Sequence, residues 1–308
     1  MKRLLPLVIV FFVSLQLVAQ YRAMNWYFGR NAGISFSQQG TASAITDGAQ
    51  DAYEACASIS DRNGNLLFYT DGDTVWNARN EIMPNGKHIE GNRSATQGAL
   101  IVPKPGSKTL YYIFTLDNTT SNAFVLNYSE VDMSLNNGLG DVTSTKGVQL
   151  LSGVSERMAA TFNASGDGVW VVVRDADEAT FYSYEITKNG ISSSPVSTSI
   201  GSSTNVGFGQ SGQMKFSPNG EYLAWVARYD RFLEVLRFNK ANGEFENWTR
   251  KVIFSEVNQL PYGVEFSADG RRLYVSRGFQ GGIYQFDMNM AVSESLFQSS
   301  GVKITGAN

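Results

Sequence analysis

Glu156-Arg157, Arg228 and Arg277 are the charged residues of this sequence best placed for recognition chemistry. Glu156-Arg157 leads into the strand-like run Met158–Phe162, while Arg228 and Arg277 close two other apolar runs. A carboxylate beside a guanidinium, joined by two further guanidiniums, can hold an anionic or sugar ligand through charge-assisted hydrogen bonds. The plainer reading is a set of salt bridges between neighbouring structural units. Asp71 and Asp73 flank Gly72, and carboxylates at alternate positions can ligate Ca²⁺. They do not continue into an Asp-x-Asp-x-Asp-Gly loop with a distal Glu, and turn formation explains them equally. Asp175, Asp177 and Glu178 read as a solvated hairpin tip. No cofactor is expected, with Ca²⁺ at Asp71 and Asp73 as the one exception considered.

His88 is the only histidine, so a His-centred triad or His-rich metal site cannot be built in the usual way. It reads as an exposed residue of the turn Asn85-Gly86-Lys87-His88. Gly207-Phe208-Gly209-Gln210-Ser211-Gly212 fits G-x-G-x-x-G, but binding a pyrophosphate needs a helix N-terminus after the glycines. Gln213–Phe216 followed by Pro218 reads instead as a strand, which makes the glycines a loop. The inventory favours binding over catalysis.

The chain has 308 residues, 17% of them charged, and a net charge of −3. With no basic stripe, a nucleic-acid partner is not expected. Residues 1–20 carry Lys2 and Arg3, the apolar run Leu4–Leu17 and the small Ala19, the order of a secretory signal peptide. Leu4–Ala19 contains Pro6, Ser14 and Gln16 and is shorter than the ~20 residues a spanning helix needs. The mature chain is therefore expected outside the cell or on its outer surface, with the periplasm as the other destination, and not inserted in a membrane. Cys56 stands alone, so no intrachain disulfide forms, and its apolar context predicts a buried, inert thiol.

Stepping from side chains to the elements that carry them, Phe216-Ser-Pro-Asn-Gly-Glu-Tyr-Leu-Ala-Trp-Val-Ala227 recurs as Phe266-Ser-Ala-Asp-Gly-Arg-Arg-Leu-Tyr-Val-Ser-Arg277. Each copy is an apolar residue, a turn whose Asn or Asp precedes Gly, and an apolar return run, the signature of a β-hairpin. Similar turns end in Gly64, Gly106 and Gly166, so successive turn glycines are 42, 60, 54 and 50 residues apart. Each interval holds about four strands, and no long segment has helical periodicity. Four-stranded units at this period predict an all-β protein, a β-propeller of about six blades, or an incomplete seven-bladed ring. One such domain spans 21–308. Leu223-Trp225 and Leu273-Val275 alternate to present an apolar face, and all five tryptophans are expected in packing.

Asn25-Trp26-Tyr27-Phe28-Gly29, Glu54-Ala55-Cys56-Ala57-Ser58-Ile59-Ser60-Asp61, Gly64–Gly72, Val75-Trp76-Asn77 and Met83-Pro84-Asn85-Gly86 form a connected set. This set resembles the propeller domains of secreted and cell-surface proteins of Bacteroidetes, many of them exported by type IX secretion and grouped with gliding-motility and adhesin-like proteins. The resemblance covers Asn25 to about Arg277, and Phe216–Trp225 also resembles the hairpin of TolB-type and WD-repeat propellers. Such proteins typically continue into a further blade and a sorting domain, so a truncated ring is one expectation. The resemblance implies a binding or scaffold module for a protein or polysaccharide at the cell surface. The alternative is a propeller enzyme, lactonase-like or glycan-lyase-like, with its site in the central channel.

Overall fold

The computed structural model describes residues 21–118, 124–176, 179–204, 211–255, 260–278 and 281–305. The signal-like segment, Asp177, Glu178 and the glycines Gly207 and Gly209 lie outside them. The first sheet is the meander β1 (Asn25–Phe28), β2 (Ala32–Phe36) and β3 (Ala42–Ile45). The second is β4 (Ala57–Ser60), β5 (Leu66–Thr70), β6 (Thr74–Asn77) and β7 (Ile82–Lys87). A nine-stranded sheet follows, of β8 (Ala99–Pro103), β9 (Leu110–Asn118), β10 (Phe124–Asp132), β11 (Asp141–Val142), β12 (Val148–Phe162), β13 (Val169–Asp175), β14 (Thr180–Thr187), β15 (Gly190–Ile191) and β16 (Val196–Ser199). Two more four-stranded meanders complete the chain: β17 (Met214–Phe216), β18 (Tyr222–Ala227), β19 (Phe232–Asn239) and β20 (Glu244–Ile253), then β21 (Pro261–Phe266), β22 (Arg272–Arg277), β23 (Gly282–Asp287) and β24 (Val302–Thr305). The one α-helix among the described residues, α1 (Glu294–Ser299), precedes β24 and is capped by the Ser293 side chain.

All pairings are antiparallel, as expected of hairpins closed by left-handed glycines. Gly220 (φ 73°) and Gly270 (φ 70°) donate their N–H groups to Ser217 and Ser267 carbonyls, each at 2.8 Å. The two serine hydroxyls repeat one further device, accepting from Tyr222 N and Arg272 N at 3.0 and 2.9 Å. Asn and Asp at the turn thus act with Ser to fix the hairpin locally.

The nine-stranded sheet arises because β12 changes partner along its length. Val148–Val154 pairs with β10, and Met158–Phe162 pairs with β13. Ser155, Glu156 and Arg157 fall at the break in register. Met158–Phe162, a separate strand-like run in the sequence, is the second half of β12, whose backbone runs on through Gly153 and the polar residues after it. Asn85, Gly86 and Lys87, expected in a turn, likewise lie within β7, and His88 follows that strand.

The core is divided into clusters, each between consecutive groups of strands. Val171 and Val173 face Phe114 and Leu126, whereas Trp170 and Val172 face Leu223 and Trp225. Ala224 and Val226, on the other side of β18, face Val264 and Val275. Middle strands are thus buried on both faces, which explains runs such as Leu223–Ala227 that hold few polar residues. Cross-sheet packing continues through Ile59 and Ile113, and through Tyr27 stacked on Tyr69. Trp26 departs from the expected packing role: it is 48% exposed, with only its edge against Phe36.

Candidate functional site

The first strands of successive units touch one another: β1 and β4, β4 and β8, β12 and β17, β17 and β21. Side chains just before them close the centre. Gln97, ahead of β8, donates from Nε2 to the Met214 carbonyl (2.9 Å) and accepts at Oε1 from Met214 N–H (2.8 Å). Thr96 reaches Tyr262, with hydroxyl oxygens 3.2 Å apart. Gln213 N–H donates to the Tyr262 carbonyl at 2.8 Å. A residue ahead of β8 can reach both β17 and β21 only if those first strands surround one axis.

At this end of the axis the sequence-selected residues gather. Thr96 N–H donates to Glu156 Oε2 (2.9 Å), and Gln97 N–H donates to the Glu156 carbonyl (3.1 Å). Burial raises the Glu156 carboxyl above its ordinary range, against the opposing effects of the Thr96 hydrogen bond and the Arg157 charge. Through Thr96, Glu156 is linked to Tyr262. Burial also pushes the Tyr262 phenol up to about 12, assisted by Glu54. Arg228 lies over the rings of Tyr229 and Tyr262, 5.1 and 5.3 Å from their centroids. Arg228 and Arg277 then line one cavity of about 270 Å³ with Leu260, Tyr262, Ser276 and Gly278. Arg277 is itself packed 4.6 Å over Phe254 and 5.0 Å over Tyr284.

Arg157 does not line this cavity. Fully buried, it donates from Nη2 to the Ser211 carbonyl (2.6 Å) and lies 5.3 Å from the Trp225 ring centroid. Burial, and then the neighbouring Arg174, press its pKa down to about 9, so it stays cationic at neutral pH. Arg174 sits 4.5 Å from the same ring. The indole N–H donates to Glu234 Oε2 (3.0 Å), and Glu234 also accepts from Ser202 N and Oγ. Trp225 thus anchors a buried charged network as well as the apolar core, a role its apolar flanks conceal.

Asp71 and Asp73 lie outside the cavity that Arg228 and Arg277 line. Asp71 is buried, its Oδ1 accepting from the N–H groups of Asp73 (3.1 Å) and Thr74 (2.8 Å). Its Oδ2 is 2.9 Å from Arg93 Nε, close enough for an ion pair, although Arg93 Nε is not aligned for a hydrogen bond. Burial raises the Asp71 pKa. Asp73 faces His88 Nδ1 at 3.4 Å. Among the described residues, no group of three or more His, Cys, Asp or Glu side chains is arranged to hold a metal.

No protein-family model and no curated protein matches this chain. Solved structures do. A candidate 6-phosphogluconolactonase from Bacteroides fragilis superposes with TM-score 0.53 at 13% identity, over 91% of this chain and 82% of that one. The periplasmic gluconolactonase PpgL of Pseudomonas aeruginosa gives TM-score 0.53 at 15% identity, over 90% and 76%. The chain is a β-propeller. The β-propeller domain of Cps50 (Swd1) from Myceliophteria thermophila overlaps at TM-score 0.47 and 14% identity, over 87% and 84%. At such identities the likeness concerns the fold alone.

Tyr262, Thr96 and Gln97 are the site residues that sequence reading missed. One signal was available: a glutamine stands just ahead of two first strands, Gln97 before β8 and Gln213 before β17.

Proposed function

We propose that this propeller is a binding or scaffold module, secreted or held at the cell surface, which engages acidic groups of a protein or polysaccharide partner at the Tyr262 end of its axis. The observation that carries the reading is Arg228. Its guanidinium rests on two tyrosines beside a cavity shared with Arg277. Arginine and tyrosine in a partly desolvated pocket are the residue types that dominate recognition surfaces. Export is supported by the composition of residues 1–20 and by the Bacteroidetes resemblance. We read the strands as six blades, counting the nine-stranded sheet as two and the three-stranded sheet as one. Calcium at Asp71 and Asp73 is the weaker reading, because the ion would compete with Arg93.

Binding of the mature protein to immobilised polygalacturonate, chondroitin sulfate and polyglutamate tests this. The expected result is salt-sensitive binding to at least one, weakened about tenfold or more by Arg228→Ala, as loss of a charge-assisted contact predicts. Binding indifferent to Arg228→Ala and to salt would refute it. The lactonase-like alternative rests on the names of two structural neighbours. It predicts hydrolysis of glucono-δ-lactone above the buffer rate, lost in Glu156→Gln.

A further inference from the structure

A second cavity, of about 310 Å³, shares no lining residue with the Tyr262 cavity and lies where the segment after β7 meets β9, β10 and β12. Its polar lining is His88, Glu90, Asp117, Asn127, Lys146 and Gln149. We propose that this groove binds a neutral saccharide or polyol, a site independent of the one assigned above.

The groove is built rather than left over. His88 (φ 56°) and Glu90 (φ 58°) both hold a left-handed backbone, a conformation unfavourable for a non-glycine residue. It is held in place by the Thr115 hydroxyl, which donates to the carbonyls of Ile89 (3.2 Å) and Glu90 (2.8 Å), and by Asn127 Nδ2, which donates to Glu90 O (2.9 Å). Opposite stands Gly147 (φ 59°), where a Cβ would run into Glu90 Cγ. Glycine at this position therefore lets Glu90 lie along the groove wall.

The lining selects the ligand by charge and by hydrogen-bonding capacity. The Glu90 and Asp117 carboxylates and the Gln149 amide make no hydrogen bond to any described residue, so they are available to a ligand. The carboxylates accept, and the amide both donates and accepts. The Lys146 ammonium is held beside them by Asn85 O (3.2 Å) and Oδ1 (3.0 Å). An anion would meet two carboxylates, and a cation would meet the fixed ammonium. A ligand with no net charge but with hydroxyls that donate and accept meets neither penalty.

Saturation-transfer NMR with methyl glucoside, methyl galactoside and methyl mannoside, and with glucuronate and glucosamine as charged comparators, decides the matter. At least one neutral glycoside should bind. Its affinity should fall about tenfold or more when Glu90→Gln and Asp117→Asn are combined, and should be unchanged in Arg228→Ala. Should the double variant not fold, Gln149→Ala, at an exposed side chain, is expected to weaken the same glycoside several-fold. The proposal is overturned if no neutral glycoside binds, if either charged comparator binds more tightly than all of them, or if the groove variants leave binding intact. Because Arg228→Ala probes only the axial site, failure here is distinguishable from failure of the function proposed above.

Discussion

Gln97 uses its side-chain amide as a substitute strand, exchanging two hydrogen bonds with the backbone of Met214, 117 residues away. Met214 is wholly buried, so both of its backbone groups lack a ready replacement partner. Gln97→Ala should leave them unsatisfied, at roughly 1–3 kcal/mol for each group. The expected result is a fall of about 2–4 kcal/mol in unfolding free energy, measured by urea denaturation followed by tryptophan fluorescence. A change below about 0.5 kcal/mol would mean that the axis is held by other contacts.

The hairpin glycines allow a sharper comparison. Gly220 and Gly270 occupy the same turn position with nearly the same backbone, φ 73° and 70°. A Cβ at Gly270 would meet only Pro218 Cδ at 3.7 Å, whereas one at Gly220 would collide with Thr161 Oγ1 and approach Lys240 Cδ to 3.0 Å. Gly270→Ala should therefore show the left-handed backbone penalty alone, about 1–2 kcal/mol. Gly220→Ala should be the more destabilising of the two in the same denaturation experiment. Equal losses would show that Thr161 yields without penalty.

What could be read from the sequence, and what could not, divides along the same line as these two tests. Turn chemistry is local: Gly64, Gly106, Gly166, Gly220 and Gly270 all adopt positive φ, and the hairpins at these turns pair as the pattern predicts. The convergence of Arg228 and Arg277 on one cavity was legible because both end the second strand of a repeated unit, which returns them to the same end of the axis. Thr96 and Tyr262 are 166 residues apart, and no periodicity encodes such a contact. Nor does an apolar context reveal that Trp225 donates to a buried Glu234, because a tryptophan with a buried partner and one without look alike in a hydrophobic run.

Tyr262 should impose an alkaline limit. Its phenol is raised to about 12, first by burial, whereas a tyrosine in an unfolded chain ionises near 10. A folded pKa above the unfolded one means that the unfolded chain releases the proton first. Its contribution is complete below about pH 10 and declines as pH rises towards about 12. Wild-type protein should lose urea resistance between about pH 9.5 and pH 11.5, and Tyr262→Phe should make that decline shallower. Tyr27, raised to about 12 for the same principal reason, should account for a second part of the slope, so Tyr27→Phe serves as the companion variant. Spectrophotometric titration of tyrosinate should show correspondingly fewer late-ionising groups in each.

The acid side carries the opposite experiment. Asp71, Glu156 and Glu234 are all raised above their ordinary values, in each case chiefly by burial. Their unfolded counterparts ionise near 4, so each contribution is largest below that value and is lost as pH rises through the folded pKa. Acidifying from neutrality towards the unfolded value near 4 should consequently raise the melting temperature. Those depressed by turn hydrogen bonds, Asp61 and Asp132 among them, act in the other direction only below their unfolded pKa. Glu234→Gln should flatten the acid rise, because its carboxylate is buried against Trp225 and Ser202 with Lys251 as the nearby cation. An amide in place of the carboxylate changes hydrogen bonding as well as charge, so the slope on acidification from neutrality towards about pH 4, read by calorimetry, is the deciding quantity. An unchanged slope in Glu234→Gln would place the proton uptake at Asp71 and Glu156 instead.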